Sequence, residues 1–577
     1  MKIALAQQNY HIGNFESNTR KIIGAINEAK QQEAELVVFS ELCVCGYPPR
    51  DFLEFEDFIA ACYNAVEEIK KHSDGIGVII GSPQKNGEAG GKDLFNAAWF
   101  LYNNEVIGVT HKTLLPTYDV FDEYRYFEPA FEWNTILFKN RKIALTICED
   151  IWNLGENPLY RICPMDILVK QQPDIMINIS ASPFDYDHEE DRKEIAKANV
   201  LKYGLPLVYC NAVGSQTEIV FDGGSLVYNA DGTLLKEMEY FKESICVVDV
   251  PEKNSEKIKQ TISPSSQPAI VSGKTDSEMR VSKVSNPNKI IDFLIAENNI
   301  RQIHDALVLG IKDYFFKMGF TKAILGSSGG IDSAVTIALA CEALGAENVR
   351  AILMPSEFSS DHSVSDAEQL SKTLNNPYDI IPIKNVYNTF LSTLKPIFKD
   401  LPFSLAEENI QSRSRGNLLM AIANKFGYIL LNTSNKSELA TGYGTLYGDM
   451  AGGLSVLGDV YKMQVYALAK YINHSKEIIP LNIITKAPSA ELRPNQKDSD
   501  SLPEYDILDK VLYQYIERRQ GPKEIIAMGI DPAVVTRILK LVNMNEYKRN
   551  QFCPIIRVSS KAFGVGRRVP IVGKYLS

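Results

Sequence analysis

Short apolar runs alternate with amphipathic stretches over the first 250 residues of the chain. Runs of this kind predict β-strands, and they read KIALAQ, ELVVFSEL, GVIIGS, NAAWFLYN, KIALTICED, DIMINIS and PLVYCNAV. Apolar positions recur with helical spacing over residues 16–34 and 189–203. Several strands are apolar throughout, which indicates sheets covered on both faces, as in α/β domains.

The pattern changes after residue 250. Residues 251–290 are rich in serine, lysine and proline and lack periodicity, which is typical of a linker. Regular patterning then resumes, and AILGSSGGIDSAVTIALACEALG predicts a strand, a tight loop and a helix, with VRAILMPS as the next strand. Because this is a βαβ unit, residues 291–577 should form a doubly wound parallel sheet. We therefore predict two α/β domains, at 1–250 and 291–577.

Bulk properties narrow the class of protein. A chain of 577 residues is too long for a single hydrophobic core. Its formal net charge of −10 disfavours nucleic acid and anionic membranes as partners. No apolar run reaches the roughly 18 residues of a membrane helix, and MKIALAQQNY is too weak for a secretory signal, so we expect a cytoplasmic protein. The nine cysteines include no CxxC pair, which favours free thiols over disulfides or zinc.

The most informative segment is a glycine-rich loop between a predicted strand and helix, Ser328-Gly329-Gly330-Ile331-Asp332-Ser333. Paired glycines let a backbone approach an anion, and the following helix directs free N–H groups and its positive dipole end at the same point. Asp332 would repel a phosphate unless a magnesium ion lies between them. The loop lacks the GK[ST] of a Walker loop and the GxGxxG of a dinucleotide-binding Rossmann loop. A plain turn between strand and helix remains the alternative.

The S-G-G-x-D-S loop resembles the pyrophosphate loop of the ATP pyrophosphatases, which split ATP to AMP and pyrophosphate while they adenylate a carboxylate or carbonyl. Two longer segments, residues 430–465 and 488–509, resemble the core of the NAD synthetases. This resemblance covers nearly all of residues 290–577. It implies that ATP and nicotinic acid adenine dinucleotide are substrates and that Mg²⁺ is required.

The NAD synthetase resemblance also implies roles for individual residues. Asp332 and Glu438 would hold Mg²⁺, and Lys462 and Ser489 would contact the phosphates that are cleaved. Further ATP contacts are implied for Ser328, Gly329, Gly330, Ser333, Met354 and Thr433. A dinucleotide site is implied for Arg413, Glu438 and Asp449. Taken singly, the charged residues among these could instead form ordinary surface ion pairs.

Two residues depart from the family pattern. Ser434 stands where related chains commonly carry the glycine of TGNKSE, and Ser327 stands where a leucine is usual. A serine at position 434 would be strained if the backbone there needed a positive φ. Neither residue is one of the predicted catalytic groups.

Three polar residues follow predicted strands in the first domain, and they are Glu41, Lys112 and Cys148. A carboxylate, an ammonium and a thiol are the groups that a thiol amidase needs. The carboxylate takes the thiol proton, the thiolate attacks the carboxamide carbon, and the ammonium stabilises the oxyanion. A buried cysteine without a catalytic role is the commoner alternative. His111 is a rival base, but adjacent residues of a strand point to opposite faces.

The chain resembles the nitrilase superfamily of carbon–nitrogen hydrolases, and its glutamine-hydrolysing branch in particular. The resemblance lies in the order of these three residues and in the HK[TS]-x-LP-x-Y and C-E-D-x-W runs. The resemblance covers roughly residues 1–250 and implies a four-layer α-β-β-α sandwich. It implies Glu41 as the general base, Lys112 as the oxyanion stabiliser and Cys148 as the nucleophile. Residues implied to assist the triad or to hold glutamine are Tyr118, Glu123, Ser180 and Ser182.

The two resemblances together predict a ligase that forms an amide. ATP would adenylate the nicotinate carboxylate of the dinucleotide, and ammonia from glutamine would cross an internal tunnel to form NAD⁺, AMP, pyrophosphate and glutamate. The resemblance also implies a homo-oligomer, often an octamer in this family. Three alternatives stay open: a glutamine-dependent ligase for another acid, an inactive nucleotide or glutamine sensor, and a first domain that acts as an independent nitrilase.

Overall fold

The computed structural model describes four stretches of the chain, residues 1–154, 159–251, 289–493 and 496–576. The chain divides into two compact units, Met1–Ser282 and Lys283–Ser577. Nearly all of the predicted linker at 251–290 lies outside the described residues. Among the helices that the structure describes, none combines the length and apolar character that a membrane crossing requires.

The first unit is built on two mixed six-stranded sheets. Its strands β1–β14 span, in chain order, Lys2–Gln7, Leu36–Val38, Gly77–Lys85, Leu94–Tyr102, Glu105–His111, Ile136–Phe138, Arg141–Ile147, Ile175–Ser180, Leu207–Asn211, Val213–Gln216, Ile219–Asp222, Leu226–Tyr228, Leu234–Glu237 and Ser244–Asp249. Its helices α1–α4 span Phe15–Gln31, Glu56–Lys70, Pro164–Leu168 and His188–Tyr203. Its 3₁₀ turns span Arg50–Glu54, Glu123–Arg125, Cys148–Ile151 and Val169–Gln171. The sheet orders are β14-β1-β2-β3-β4-β5 and β13-β12-β9-β8-β7-β6, and β10 pairs with β11.

The alternation of side chains along each strand creates the layers of this unit. On β1, Leu5 packs between the two sheets, whereas Ala4 packs with helices α1 and α2. On β8, Ile177 packs between the sheets, whereas Met176 packs with helices α3 and α4. Burial of each large apolar side chain contributes about 1.5–3 kcal/mol, so three apolar layers hold four layers of secondary structure together. The predicted α-β-β-α sandwich is confirmed.

The second unit contains a five-stranded sheet in which every pair of neighbouring strands is parallel. Its strands β15–β19 span Ala323–Gly326, Val349–Leu353, Tyr378–Ile380, Ile429–Asn432 and Leu454–Ser455. Its helices α5–α17 span Ile290–Leu294, Glu297–Met318, Ile331–Leu344, Asp361–Leu374, Lys384–Phe398, Leu405–Phe426, Lys436–Thr441, Lys462–Ile472, Leu481–Thr485, Tyr505–Leu512, Pro522–Ala527, Pro532–Met544 and Glu546–Arg549. Shorter turns lie at Ala346–Asn348, Asp498–Asp500 and, as a π-helical turn, Tyr513–Glu517. The predicted doubly wound parallel sheet is confirmed.

The strand order of this sheet, β17-β16-β15-β18-β19, places a switch point between β15 and β18. From β15 the chain moves outward to β16 and β17, and it then returns to build β18 and β19 on the other side. Ligands of open parallel sheets bind beyond the carboxyl ends of the strands at such a point. The loop that begins at Ser327 leaves β15, and the loop that begins at Thr433 leaves β18. The fold therefore brings two of the predicted segments to one edge of the sheet.

Candidate active sites

The first candidate site contains a buried cluster of charges at the ends of β2 and β5. The Lys112 ammonium donates to Glu41 Oε1 at 2.7 Å and to Glu123 Oε1 at 2.8 Å. Lys112 is fully buried, and the two carboxylates are 1% and 5% exposed. Burial by itself lowers the pKa of Lys112, but the Glu123 and Glu41 carboxylates outweigh it and raise this pKa above its usual value. The Lys112 side chain is therefore a protonated, positively charged ammonium at neutral pH.

Cys148 belongs to the 3₁₀ turn that follows β7 and has a φ of 45°, in the left-handed region. For a residue other than glycine this backbone costs about 1–3 kcal/mol, and such strain is common where a turn presents a reactive side chain. The Asp150 carboxylate holds the turn, because it accepts the backbone N–H of Ile147 at 3.0 Å. The same carboxylate accepts the N–H groups of Thr113 and Leu114 at 3.0 and 2.9 Å, which ties the turn to the segment after Lys112.

The charges of this cluster act on the Cys148 thiol. Burial and the Glu41 carboxylate raise the pKa of Cys148 well above its usual value, and Lys112 and the Ser180 hydroxyl only partly oppose them. The resting side chain is therefore a thiol, which needs a base before it can act as a nucleophile. The structure thus brings together Glu41, Lys112, Glu123 and Cys148, the residues to which the family resemblance assigns the triad and its second glutamate.

Two buried residues that sequence reasoning missed contact the carboxylates. The Asn96 side-chain amide donates to Glu41 Oε1 at 2.7 Å and to Glu123 Oε2 at 3.4 Å. The Tyr47 hydroxyl donates to Glu123 Oε1 at 2.7 Å. Asn96 had a signal in the sequence, because it is a polar residue that opens the apolar run NAAWFL. Tyr47 had none.

Two of the residues predicted to hold glutamine, Tyr118 and Ser180, lie around the same turn. The Tyr118 hydroxyl donates to both Glu149 carboxylate oxygens at 3.0 Å, and Glu149 adjoins Cys148 in sequence. Ser180 ends β8, and its hydroxyl accepts a hydrogen bond from Tyr209 at 3.0 Å. The backbone N–H of Ser182 donates to Asn211 Oδ1 at 2.9 Å. Sequence reasoning missed Glu149 and Tyr209.

His111 lies outside the charge cluster. Its ring stacks on Phe95 with 3.9 Å between the ring centroids, and its Nε2 lies 2.5 Å from Gln84 Oε1. Burial lowers the pKa of His111 to about 4. The adjacent Lys112 faces Glu41 and Glu123 instead, as expected for neighbours that point to opposite faces.

The second candidate site is a cavity of about 290 Å³ at the switch point of the parallel sheet. Most of the predicted ATP-binding and dinucleotide-binding residues line it: Ser328, Gly330, Asp332, Ser333, Met354, Thr433, Glu438, Asp449, Lys462 and Ser489. Gly329 has a φ of 75°, and a Cβ there would overlap the carbonyl oxygen of Ser363. The loop therefore needs glycine at this position, and it leaves room for an anion in front of helix α7.

Three charged side chains meet on one side of this cavity. The Lys462 ammonium lies 2.6 Å from Asp332 Oδ2 and 3.5 Å from Glu438 Oε1. Burial lowers the pKa of Lys462, but Asp332 and Glu438 outweigh it and raise the pKa above its usual value. Burial and the Asp332 carboxylate raise the pKa of Glu438 to about 8. Asp332 and Glu438 thus form a pair of oxygen donors whose mutual repulsion a cation would relieve.

The donor set fits Mg²⁺ bound together with phosphates. Mg²⁺ commonly takes one or two protein carboxylates and fills its other positions with water and substrate phosphate oxygens. Asp332 and Glu438 supply two carboxylates next to the anion loop. Among the described residues, no group of three or more His, Cys, Asp or Glu side chains could hold a metal ion by protein ligands alone.

Asn435 links the two carboxylates, and sequence reasoning missed it. Its amide donates to Asp332 Oδ1 at 2.8 Å, and its Oδ1 accepts the N–H of Glu438 at 3.0 Å. Glu438 Oε2 in turn accepts the N–H of Asn435 at 3.2 Å, which completes a capping box at the start of helix α11. The spacing of an N-cap asparagine and a glutamate three residues later was the available signal.

Two arginines and two serines around the cavity need separate description. Arg413 is exposed and does not line the cavity, and its Nε donates to the Leu446 carbonyl at 3.2 Å. Arg415 does line it, with its Nε donating to the Met354 carbonyl at 3.0 Å. Ser434 is not among the residues with positive φ, so the serine is unstrained. Ser327 also lines the cavity, and its backbone N–H donates to Ile352.

Comparison with known proteins finds relatives of each half of the chain and of the whole chain. A family model described as carbon–nitrogen hydrolase matches residues 2–260, and one described as NAD synthase matches residues 303–552. The chain is 42% identical over 576 residues to the glutamine-dependent NAD(+) synthetase of Synechocystis sp., which covers 99% of this chain and 98% of that protein. The corresponding synthetase of Thermotoga maritima is 38% identical over 579 residues, and the match covers 100% of this chain and 99% of that protein. A solved structure is also similar: the glutamine-dependent NAD+ synthetase from Acinetobacter baumannii in complex with ADP. Its sequence is 37% identical, its TM-score is 0.72, and the match covers 99% of this chain and 98% of the chain in that structure.

Proposed function

The chain belongs to the glutamine-dependent NAD(+) synthetases, and from this premise we propose how its two sites divide the reaction. The enzyme uses ATP and the amide nitrogen of glutamine to convert nicotinic acid adenine dinucleotide to NAD⁺. The cluster in which Lys112 bridges Glu41 and Glu123 beside Cys148 is the observation that carries the proposed division. The first unit releases ammonia from glutamine, and the second activates the acid that accepts it.

In the first unit, Glu41 takes the proton of the Cys148 thiol as the sulfur attacks the carboxamide carbon of glutamine. The electron pair of the carbonyl moves to its oxygen, and Lys112 stabilises the negative charge. Collapse of this intermediate, with a proton returned from Glu41, releases ammonia and leaves a glutamyl thioester. Water then attacks the thioester, and glutamate leaves. Tyr118, Ser180 and Ser182 hold the substrate around the thiol.

In the second unit, ATP binds with its phosphates against the Ser328–Ser333 loop and the N-terminus of helix α7. Lys462 and Ser489 contact the phosphates, and Met354 and Thr433 line the rest of the nucleotide site. Asp332 and Glu438 would hold Mg²⁺, which when bound neutralises charge on the pyrophosphate that leaves. The nicotinate carboxylate attacks the α-phosphorus, and ammonia then displaces AMP from the acyl adenylate.

We further propose that ammonia travels between the sites through an enclosed passage. Ammonia in water at neutral pH is mostly protonated and is then not a nucleophile. We expect that enzyme supplied with amide-¹⁵N glutamine and excess unlabelled ammonium at neutral pH forms mainly ¹⁵N-labelled NAD⁺, which mass spectrometry would measure. Label diluted in proportion to the bulk ammonium would contradict the passage. Failure to form NAD⁺ from nicotinic acid adenine dinucleotide would contradict the proposed reaction itself.

Arg413, Glu438 and Asp449 are proposed to bind the dinucleotide. The exposed position of Arg413 supports a site that a second copy of the chain completes. An apolar surface of the second unit supports self-association as well, since large exposed apolar patches mark contact surfaces. Val386, Phe390 and Ile397 lie on one face of helix α9 and are 36%, 41% and 72% exposed. Nearby in sequence, further exposed apolar residues are Leu401, Phe403 and Leu405.

Replacing Ile397 with aspartate should weaken this association. A charge in an apolar contact surface must be desolvated without a partner, which costs several kcal/mol. Sedimentation velocity should show the wild-type chain as a homo-oligomer, an octamer by the family resemblance, and the Ile397→Asp variant as smaller species at the same concentration. Lys395→Asp, on the same helix, is a control that changes charge without removing an apolar contact. Equal sedimentation of the Ile397 variant and the wild type would contradict an interface at this face.

A further inference from the structure

Asn96 contacts all three members of the buried charge cluster, Glu41, Lys112 and Glu123. It lies on β4 and is 1% exposed. Its side-chain nitrogen donates to Glu41 Oε1 at 2.7 Å and to Glu123 Oε2 at 3.4 Å. Its backbone carbonyl accepts the N–H of Lys112 at 2.8 Å. One residue in the interior of the sheet thus binds both carboxylates and fixes the backbone that carries the ammonium.

The surrounding charges determine which way the amide points. Asn96 Oδ1 has no hydrogen-bond partner within the part of the chain that the structure describes, whereas the nitrogen faces two carboxylates. Turning the amide over would place its oxygen against those carboxylates and lose both hydrogen bonds. Because hydrogen bonds to charged groups are stronger than those between neutral groups, this residue acts as a donor to the acids.

The two oxygens of Glu41 are therefore not equivalent. Oε1 accepts hydrogen bonds at 2.7 Å from both Asn96 and Lys112, which uses both of its lone pairs. Oε2 accepts the backbone N–H of Ala181 at 3.0 Å and keeps a second lone pair. A proton that arrives at Glu41 is thus directed to Oε2.

We infer that Asn96 is a positioning residue for glutamine hydrolysis, which saturates Glu41 Oε1 so that Oε2 receives the proton of the Cys148 thiol. In that step the S–H bond breaks and a bond from hydrogen to Oε2 forms. The sulfur electron pair bonds to the carboxamide carbon as the C=O π bond breaks and its electron pair moves to the oxygen, beside Lys112. The inference rests on the proposed role of Glu41 as the base.

Two substitutions separate this role from a purely structural one. Asn96→Ala removes the donor and should lower kcat for glutamine hydrolysis roughly 10- to 100-fold, with KM for glutamine nearly unchanged. On the acid side of its pH profile, activity should be lost at a higher pH than in the wild type. Burial already raises the pKa of Glu123, and without the Asn96 donor this carboxylate binds its proton more readily. Asn96→Asp keeps the size of the side chain but places a third carboxylate against the other two. It should be less active than Asn96→Ala.

Controls make the outcomes distinct. Asn18 is 2% exposed in the same unit, and among the described residues its amide nitrogen donates only to the backbone carbonyls of His11 and Val44. Asn18→Ala should therefore keep the wild-type kcat and pH profile. Ammonium-driven NAD⁺ synthesis should be normal in both Asn96 variants, and Cys148→Ala is assayed in parallel.

A more active Asn96→Asp than Asn96→Ala would show that only the shape of the residue matters and would overturn the inference. So would an unchanged kcat with a changed KM. If Cys148→Ala still hydrolyses glutamine, both the proposed function of the first unit and the inference about Asn96, which rests on it, fail. If only that variant is inactive and both Asn96 variants behave as wild type, the positioning role alone fails.

Discussion

Replacing Cys148 with alanine should abolish glutamine-driven NAD⁺ synthesis and leave ammonium-driven synthesis nearly intact. Loss of a covalent nucleophile typically lowers turnover by about 10³-fold or more, because no thioester can form. Added ammonium salt supplies ammonia directly to the acyl adenylate and bypasses the first unit. Alanine keeps a Cβ at the left-handed backbone of residue 148, where φ is 45°, so the turn gains no new strain. NAD⁺ formed with each nitrogen source would be quantified by liquid chromatography.

The matched control is Cys246→Ala. Cys246 is a half-buried cysteine on β14 of the same unit, distant in sequence from the charge cluster. Both activities should stay at the wild-type level in this control. If both activities vanish in Cys148→Ala, the two units do not divide the reaction as proposed. If neither changes, ammonia comes from somewhere else, and the first unit would act as an independent nitrilase.

Much of the first site was predictable because its residues lie close to strand ends that the sequence marks. Each apolar run predicted in the first half overlaps one of the strands, and Glu41, Lys112 and Cys148 lie just beyond the ends of β2, β5 and β7. The hydrogen bonds that join them were not predictable, because they connect residues far apart in sequence. Tyr47 and Glu123 are 76 residues apart in sequence, and Asn96 and Glu41 are 55 apart. Nothing local in the sequence records such contacts.

Short edge strands were the other feature that sequence patterns missed. Strand β13 spans Leu234–Glu237, and three of its four residues are exposed. An exposed edge strand has no buried face to produce an alternating pattern, so its position depends on pairing with β12. The continuous apolar runs of β8 and β9 had no such ambiguity, since both of their faces are covered.

The second site shows a limit set by helical geometry. Arg413 and Arg415 lie two residues apart on helix α10, so their side chains point in directions about 200° apart. The sequence could not decide which arginine faces the cavity, and the structure puts Arg415 there. The glycine loop was easier to predict from the sequence, because the end of a strand, a backbone that needs glycine and the start of a helix all fall within a few residues. Gly329 meets that demand with its φ of 75°.

Replacing Asp332 with asparagine should stop pyrophosphate release with either nitrogen source. Asparagine keeps the size of the side chain but removes one of the two carboxylates that would hold Mg²⁺ against the phosphates. Loss of such electrostatic stabilisation costs about 3–4 kcal/mol, which corresponds to roughly 10²- to 10³-fold in rate. The concentration of Mg²⁺ needed for half-maximal ATP binding should also rise, and calorimetric titration would measure it independently of turnover.

The control for this substitution is Asp379→Asn. Asp379 lies on β17 in the same unit, pairs with Arg350 at 2.6 Å and does not line the cavity. Its loss should leave pyrophosphate release unchanged, because a half-exposed ion pair of this kind contributes only about 0–1 kcal/mol to stability. Normal pyrophosphate release by Asp332→Asn would remove Asp332 from the phosphate chemistry. An unchanged Mg²⁺ requirement in a folded but inactive variant would instead restrict its role to holding Lys462, which lies 2.6 Å away.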